Sequence, residues 1–259
     1  MGAANVRQGI GIAGIAGRMG RLLVEEVAAA GLPLIGGIGR TGSQGEAPRF
    51  ADIDALAAAC GVVIDFTHAG AVAIHAAALA AAGTAWVLGT SGLSAADEAA
   101  VARAAERIAV VYAANFSPGV TLVLALAERM AAALPADAYD AEIVEMHHRQ
   151  KVDAPSGTAI GIGRAVARGR GVDLEAVRES GRDGHVGARR PGAIGFAAMR
   201  GGQVVGEHML LFAAADEQIA LTHRAFDRRA FASGAVRAAR WVLGRPPGLY
   251  GMTDVLGLG

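Results

Sequence analysis

From Ile10 to about Ala114 the chain alternates short apolar runs with alanine-rich helical stretches, and this rhythm limits the fold more than any other feature. Ile10 to Ala13 reads as a strand and Arg18 to Ala30 as a helix. Leu34 to Ile38, Val62 to Phe66, Trp86 to Leu88 and Ile108 to Tyr112 read as four further strands. Helical stretches Ala71 to Ala82 and Ala95 to Arg107 separate the later ones. Strands alternating with helices imply right-handed crossovers. The expectation is an α/β fold, a Rossmann-like doubly wound parallel sheet.

The rhythm changes after Pro118. Val120 to Leu134 reads as a long helix, Ala141 to Met146 as a strand and Ser156 to Ala167 as a helix. Residues 170 to 192, rich in Gly and Arg, read as a long ordered loop or flap. Ala193 to Met199, Val204 to Phe212 and Gln218 to His223 are three consecutive strand-like runs, which predicts a more antiparallel sheet in a smaller α+β domain. A final helix, Arg229 to Leu243, returns to the first domain in this reading. The expected division is residues 1–118 with 228–259 for a dinucleotide, and 119–227 for substrate binding and oligomerisation.

Composition removes several classes of function. Hydrophobic residues make up 53% of the 259 positions, enough for two cores and too many for a disordered chain. Lys+Arg and Asp+Glu balance at 24 each, so the charge signature of a nucleic-acid binder is missing. Cys60 is the single cysteine, which rules out an internal disulfide or a cysteine-rich metal centre and fits a reducing compartment. No charged-then-apolar signal pattern opens the sequence, and Val6 stands where myristoylation needs Ser or Thr. The Ala-rich stretch from Ala69 to Ala82 is too short to span a membrane. A cytoplasmic protein is expected.

Glycines at 9, 11, 14, 17 and 20 permit more than one phosphate-binding register. Gly9-x-Gly11-x-x-Gly14 has the usual spacing but makes polar Asn5 to Gln8 the buried strand. Placing the turn at Gly14, Ile15, Ala16, Gly17, Arg18 and Met19 keeps Ile10 and Ile12 in the strand and begins the helix near Arg18. The second register is adopted. A glycine-rich turn that merely packs a strand on a helix is the plainer alternative. The second strand then ends in Gly37-Ile-Gly39-Arg40, with no carboxylate to hold an adenosine ribose. Arg40 is placed to pair with a 2′-phosphate, so NADPH is the expected cofactor and NADH the alternative. A solvated loop arginine is the bland reading.

The densest chemistry lies in Glu145-Met-His147-His148-Arg-Gln-Lys151-Val-Asp-Ala-Pro155-Ser156-Gly157-Thr158. A histidine donates a proton near neutrality, a lysine holds a carboxylate, and Pro155 to Thr158 opens a helix whose free N–H groups suit a second anion. Together they describe a site for a small dianion that accepts a proton. Each feature alone has an ordinary explanation: a surface histidine pair, a solvated lysine, a helix cap. Zinc on Glu145, His147 and His148 is a further alternative, though the spacing is not that of a usual zinc motif.

At these residues the chain resembles the dihydrodipicolinate reductases, marked by Glu-x-His-His-x-x-Lys-x-Asp-Ala-Pro-Ser-Gly-Thr-Ala, matched here from Glu145 to Ala159. Gly14-Ile-Ala-Gly-Arg-Met-Gly20, Ile64-Asp-Phe-Thr67, Gly89-Thr-Ser-Gly92 and Ala113-Ala-Asn-Phe-Ser-x-Gly119 match further family segments in order. So do Arg190-x-Gly-x-Ile-Gly-Phe196, Gly206-Glu-His208 and Phe231-Ala-Ser-Gly-Ala-Val-Arg237. The resemblance implies NAD(P)H-dependent reduction of a cyclic unsaturated dicarboxylate to tetrahydrodipicolinate in lysine and diaminopimelate biosynthesis. It also implies a homotetramer built through the second domain's sheet. It makes His147 the proton donor and Lys151 a carboxylate ligand that assists the transfer. His148, Ser156, Gly157 and Thr158 complete the substrate cradle. Gly89, Thr90 and Ser91, with Ala113, Ala114, Asn115 and Phe116, take the nicotinamide side.

Two departures stand out. The acidic residue that many members carry just before the Arg40 position is Gly39 here, and the stretch between Ser43 and Val62 is short. A trimmed loop and helix are expected there. A thioester-forming semialdehyde dehydrogenase is the rival enzyme class, but Cys60 reads as a small core residue. A non-enzymatic cofactor-sensing module has no need of the histidine–lysine–helix constellation.

Overall fold

The computed structural model describes residues 8–39 and 47–258. The chain divides into two compact units: the part up to Pro118 together with the part from Arg228 onward, and Gly119–Asp227. Arg40 and Glu46 lie outside the described residues.

In the first unit the strands are β1 (Ile10–Ala13), β2 (Leu34–Ile38), β3 (Val62–Asp65), β4 (Ala85–Leu88), β5 (Ala109–Tyr112) and, near the chain's end, β11 (Gly248–Tyr250). They form one sheet in the order β11-β5-β4-β3-β1-β2, every pairing parallel. Helices α1 (Arg18–Ala29) and α8 (Arg229–Val242) pack on one face, where Leu23, Val27, Ala235 and Ala239 meet Ile10, Ile12, Ile64 and Val87. Helices α2 (Ile53–Ala59), α3 (Val72–Ala82) and α4 (Ala95–Ala105) cover the other, with Leu56, Leu79 and Val101 against Val63, Trp86 and Val110. Burial on both faces explains why these strands read as continuous apolar runs rather than alternating ones. The doubly wound sheet is therefore as expected. β11 and the short helix α9 (Met252–Leu256) are additions the sequence did not announce. α2 is the compact helix expected before Val62.

The second unit holds α5 (Pro118–Ala133), β6 (Asp140–His147), α6 (Gly157–Arg170), α7 (Leu174–Val177), β7 (Arg178–Ser180), β8 (Ile194–Arg200), β9 (Gly206–Ala213) and β10 (Gln218–Ala225). Its sheet runs β10-β9-β6-β8-β7. The sheet is mixed, which corrects the more antiparallel expectation: β6 pairs in parallel with β8 and antiparallel with β9. β8 and β9 are consecutive in sequence yet lie on opposite sides of β6, so their connection must cross the end of the central strand. A second correction concerns residues 170 to 192, which contain α7 and β7 rather than loop alone.

β6 alternates strictly. Ala141, Ile143, Glu145 and His147 are buried, while Asp140, Glu142, Val144 and Met146 face outward. The inward face packs with α5 and α6 through Ala127, Ala131, Ile162 and Val166. Apolar residues early in the strand and polar ones late make one end of this core a place for chemistry.

Candidate active site

The late end of β6 is built around Glu145, whose side chain is 1% exposed. Burying a carboxylate is costly unless its oxygens are bonded. Here Oε1 accepts hydrogen bonds from Arg200 Nη2 (2.8 Å) and the Ser156 amide (3.1 Å), and Oε2 accepts from Arg200 Nη1 (2.9 Å). The fourth partner is His147 Nδ1, 2.6 Å from Oε2. Burial by itself disfavours the ionised form of Glu145. The hydrogen bonds from Arg200, His147 and Ser156 outweigh it and hold the carboxyl below its ordinary value. An ionised Glu145 fixes the imidazole with its proton on Nδ1 and leaves Nε2 as the ring's working nitrogen.

Neighbouring strands complete this arrangement. Arg200 ends β8 directly beside His147, and His208 on β9 lies opposite Glu145. A Cβ on Gly206 would stand 3.0 Å from His147 Nε2, so only a glycine leaves that nitrogen clear. The β8–β9 connection clamps the strand end: Gly201 N–H donates to His147 O (3.0 Å) and His148 N–H to Val204 O (2.8 Å). His148 Nδ1 is buried without a hydrogen-bond partner among the described residues.

Lys151 follows in the loop, its amide donating to His148 O (3.1 Å). Its ammonium is held by both oxygens of Asp153, at 2.8 and 2.9 Å. Asp153 is more than half exposed, and an ion pair of that kind contributes about 1 kcal/mol or less, so another carboxylate can readily share the ammonium. The Ala154–Pro155 peptide bond is cis. Ser156 caps α6, its Oγ accepting from the Ala159 amide (3.2 Å) and lying 2.9 Å from His208 Nε2. At 2% exposure Ser156 is committed inward. Gly157 is exposed, with nothing within 4 Å of where a Cβ would be, so backbone N–H groups at this helix start are approachable. The structure thus assembles Glu145, His147, Arg200, Ser156 and His208. The sequence had given no role to Arg200, Gly206 or His208, and to Glu145 only that of an alternative zinc ligand; a strand register brings them together from three separate segments.

In the first unit the glycine turn follows β1, as the second register requires. Gly14 has φ +83° and its N–H donates to Ile38 O (2.9 Å), a conformation that favours glycine. Gly9 and Gly11 serve packing instead: a Cβ on Gly11 would stand 2.7 Å from Cys60 Sγ. That contact also places Cys60 in the core, fully buried. Gly20 lies against the Gly14 and Ile15 carbonyls, and α1 begins with Gly17 as a cap that offers no side chain. The helix's first N–H groups therefore face a site suited to phosphate.

Gly14, Ala16 and Gly17 line a cleft of about 560 Å³ together with Ile38, Gly39, Phe66, Thr67, His68, Ala71 and His75. It opens beside the C-terminal ends of β1, β2 and β3, where the strand order reverses and such sheets bind ligands. Ile15 turns into the core, Arg18 is exposed and Met19 packs half-buried on the core. Beneath the cleft Asp65 is fully buried, accepting from the Thr67 amide (3.0 Å) and hydroxyl (2.6 Å) and bonding His75 Nδ1 (2.6 Å). Gly89, Thr90 and Ser91 follow β4, and the Phe66 ring occupies the space a Cβ on Gly89 would need. Thr90 Oγ1 is buried without a partner among the described residues. After β5, Ala113 and Asn115 are half-buried, Ala114 is exposed, and Phe116 is a core residue with its ring centroid 5.7 Å from that of Phe66.

Comparison with known proteins settles the family. The model for the dihydrodipicolinate reductase N-terminus matches residues 8–116, and that for the C-terminus matches residues 119–256. The chain belongs to the dihydrodipicolinate reductase family. It is 71% identical to the 4-hydroxy-tetrahydrodipicolinate reductase of Granulibacter bethesdensis over 96% of this chain and 97% of that one. It is 64% identical to the enzyme of that name from Acidiphilium cryptum over the full length of both. A solved structure of dipicolinate-bound dihydrodipicolinate reductase from Paenisporosarcina sp. TG-14 shares the fold, with a TM-score of 0.79 at 24% identity over 95% of this chain and 98% of that one. As a dihydrodipicolinate reductase family member the chain is an NAD(P)H-dependent oxidoreductase. Among the described residues no helix is long and apolar enough to cross a membrane, and no group of three or more His, Cys, Asp or Glu is placed to hold a metal ion.

Proposed function

We propose that the chain reduces the cyclic dicarboxylate 4-hydroxy-tetrahydrodipicolinate, whose hydroxyl leaves as water, to tetrahydrodipicolinate with NAD(P)H and a proton, a step of lysine and diaminopimelate biosynthesis. The observation that carries the assignment of roles is the buried Glu145–His147 hydrogen bond, set beside a helix start and a lysine in a chain of this family.

His147 is the proton donor. Its Nδ1 proton points at Glu145, which orients the ring, so Nε2 delivers a proton to the ring carbon beside the one reduced. Lys151 exchanges Asp153 for a substrate carboxylate and balances its charge. The second carboxylate meets the N–H groups of Gly157 and Thr158 at the start of α6, with Ser156 fixing that turn and His148 closing the cradle. No metal takes part in this reading, because both Glu145 oxygens are committed to Arg200, Ser156 and His147.

The dinucleotide fits the first unit: the Gly14–Gly17 turn, with Ile15 and Ala16, and the uncapped start of α1 at Arg18 and Met19 take the pyrophosphate. Gly89, Thr90, Ser91, Ala113, Ala114, Asn115 and Phe116 form the nicotinamide side, where the unpartnered Thr90 hydroxyl gains a partner. When bound, the nicotinamide supplies the hydride. NADPH is the preferred form, supported by a cleft whose described lining carries two imidazoles and no carboxylate. The working protein is a cytoplasmic homotetramer. The outward face of the second sheet supports that assembly, presenting Val144, Met146, Met199, Met209 and Leu211. The deciding assay is oxidation of NADPH and NADH with substrate made in situ from pyruvate and aspartate semialdehyde. Dinucleotide binding without oxidation would overturn the assignment in favour of a sensing module.

A further inference from the structure

The sheet that carries His147 contributes a second histidine to the same end of the core, and nothing in the proton transfer uses it. His208 lies on the inward face of β9, 5% exposed, opposite Glu145. Its ring stands edge-on to His147 with centroids 5.1 Å apart and planes at 72°, and its Nε2 is 2.9 Å from Ser156 Oγ. Two residues earlier on the same face, Gly206 leaves His147 Nε2 clear.

We propose that His208 is a positioning residue for the substrate site, acting through Ser156 on the start of α6 and through ring packing on His147. The inference rests on the roles given above to His147 and to the helix start.

Hydrogen-bond accounting supports it. Ser156 Oγ already accepts the Ala159 amide, so its own proton is free to go to His208 Nε2. That bond locks the serine rotamer that caps α6, and with it the direction of the Gly157 and Thr158 N–H groups. His208 must then be neutral, with its proton on Nδ1. Burial and the nearby His147 hold its pKa down to about 4, consistent with that state. Nδ1 is buried with no partner among the described residues. An apolar ring would pack there without stranding a donor, so filling space does not account for a histidine. A neutral ring also walls His147 without competing for positive charge, leaving His147 free to carry the proton it donates.

Three variants separate this role from simple packing. His208→Phe keeps a ring but loses the Ser156 bond. We expect KM for the dicarboxylate, and Ki for pyridine-2,6-dicarboxylate, to rise about tenfold while kcat stays within about threefold. Ser156→Ala should raise both similarly, and the double variant should be no worse than either single one, because both remove one interaction. His208→Gln retains an acceptor and should recover most of the loss, which keeps the proposal testable even where the phenylalanine variant does not fold. Thermal midpoint and NADPH Kd control for folding. Unchanged KM and Ki in folded His208→Phe would overturn the proposal. So would full additivity with Ser156→Ala, or a His208→Gln variant as impaired as Ser156→Ala. A wild-type protein that binds NADPH but oxidises none of it would instead sink the functional reading on which this rests.

Discussion

Glu145 and His147, two residues apart on β6, point into the same core and share a 2.6 Å hydrogen bond. A period of two puts them on one face, and Arg200 on the adjacent strand neutralises the carboxylate that orients the histidine. In the proposed reaction the pair would join strand geometry to acid catalysis. Replacing His147 with Ala is expected to lower kcat by about 10²–10⁴-fold, the range for loss of a positioned proton donor. Lys151→Ala is expected to lower kcat/KM by at least about 100-fold. In both variants NADPH Kd, read by quenching of cofactor fluorescence, should remain within about threefold of wild type. Turnover at the wild-type rate in either one would remove its role.

Gly206 offers a more local probe. A methyl group there stands 3.0 Å from His147 Nε2, closer than ordinary packing allows. Gly206→Ala should therefore displace the donor nitrogen and cut kcat by about tenfold or more, with a modest change in thermal midpoint. Because the substitution itself adds no charge, an unaltered kcat in the folded variant would mean that Nε2 is not the working nitrogen.

Stability should fall in acid, and His208 fixes the window. Its pKa is about 4 in the folded protein because burial, and then the charge of His147, disfavour protonation. The unfolded chain takes up that proton near the ordinary value of about 6.5. The folded state therefore binds fewer protons between these values, and stability present above about pH 6.5 is lost as pH falls toward 4. The span corresponds to about 3 kcal/mol. Glu145, held below its ordinary value, adds a loss in the same direction at lower pH, as the pH falls through its folded pKa. Urea midpoints at pH 7.5, 6 and 5 should drop less steeply in His208→Phe than in wild type. Parallel curves would contradict the assignment.

Much of this architecture was legible because its causes are local. The strand Ile10–Ala13 could be read from a run of residues buried throughout, and the edge strand Leu34–Ile38 from a short apolar run bounded by turn residues. The glycine turn after β1 is placed by the register that keeps Ile10 and Ile12 in a buried strand, and packing on Ile35 and Cys60 accounts for Gly9 and Gly11. What escaped notice depends on contacts across the chain. β8 and β9 flank β6 rather than pairing with each other, so neither the mixed sheet nor the meeting of Arg200 and His208 with Glu145 can be inferred from spacing. The Asp65–His75 pair escaped for the same reason: ten residues and a turn separate partners 2.6 Å apart. β11 is three residues long, too short for any periodicity to register.

Assembly should depend on the exposed face of the second sheet. Met199 is 49% exposed and lies beside Met146 across the β6–β8 pairing. A glutamate in that apolar face faces the same group on a partner's copy if the sheets pack together, and burying two such charges is prohibitive. Met199→Glu is expected to convert a tetramer to smaller species in sedimentation velocity. A tetramer that persists in the variant would place the interface elsewhere.

The proposed NADPH preference can be tested at Gly39 and Arg40. Gly39 ends the run after β2, and a Cβ there would stand 3.2 Å from Ala16 Cβ, against the phosphate turn itself. A side chain here would require Ala16 to shift slightly, and with glycine in place no carboxylate is offered to the adenosine ribose from this position, which in the proposed reading leaves that end of the dinucleotide to neighbouring cations. Arg40 follows directly in the sequence, and a guanidinium pairs with a phosphate through two parallel hydrogen bonds. Arg40→Ala should therefore raise KM for NADPH by about tenfold or more and leave KM for NADH within about twofold, because only the former carries the 2′-phosphate. Equal losses for both cofactors would assign Arg40 to the pyrophosphate or to the loop's own stability. An unchanged NADPH value would shift the preference to His68 and His75, the imidazoles lining the same cleft.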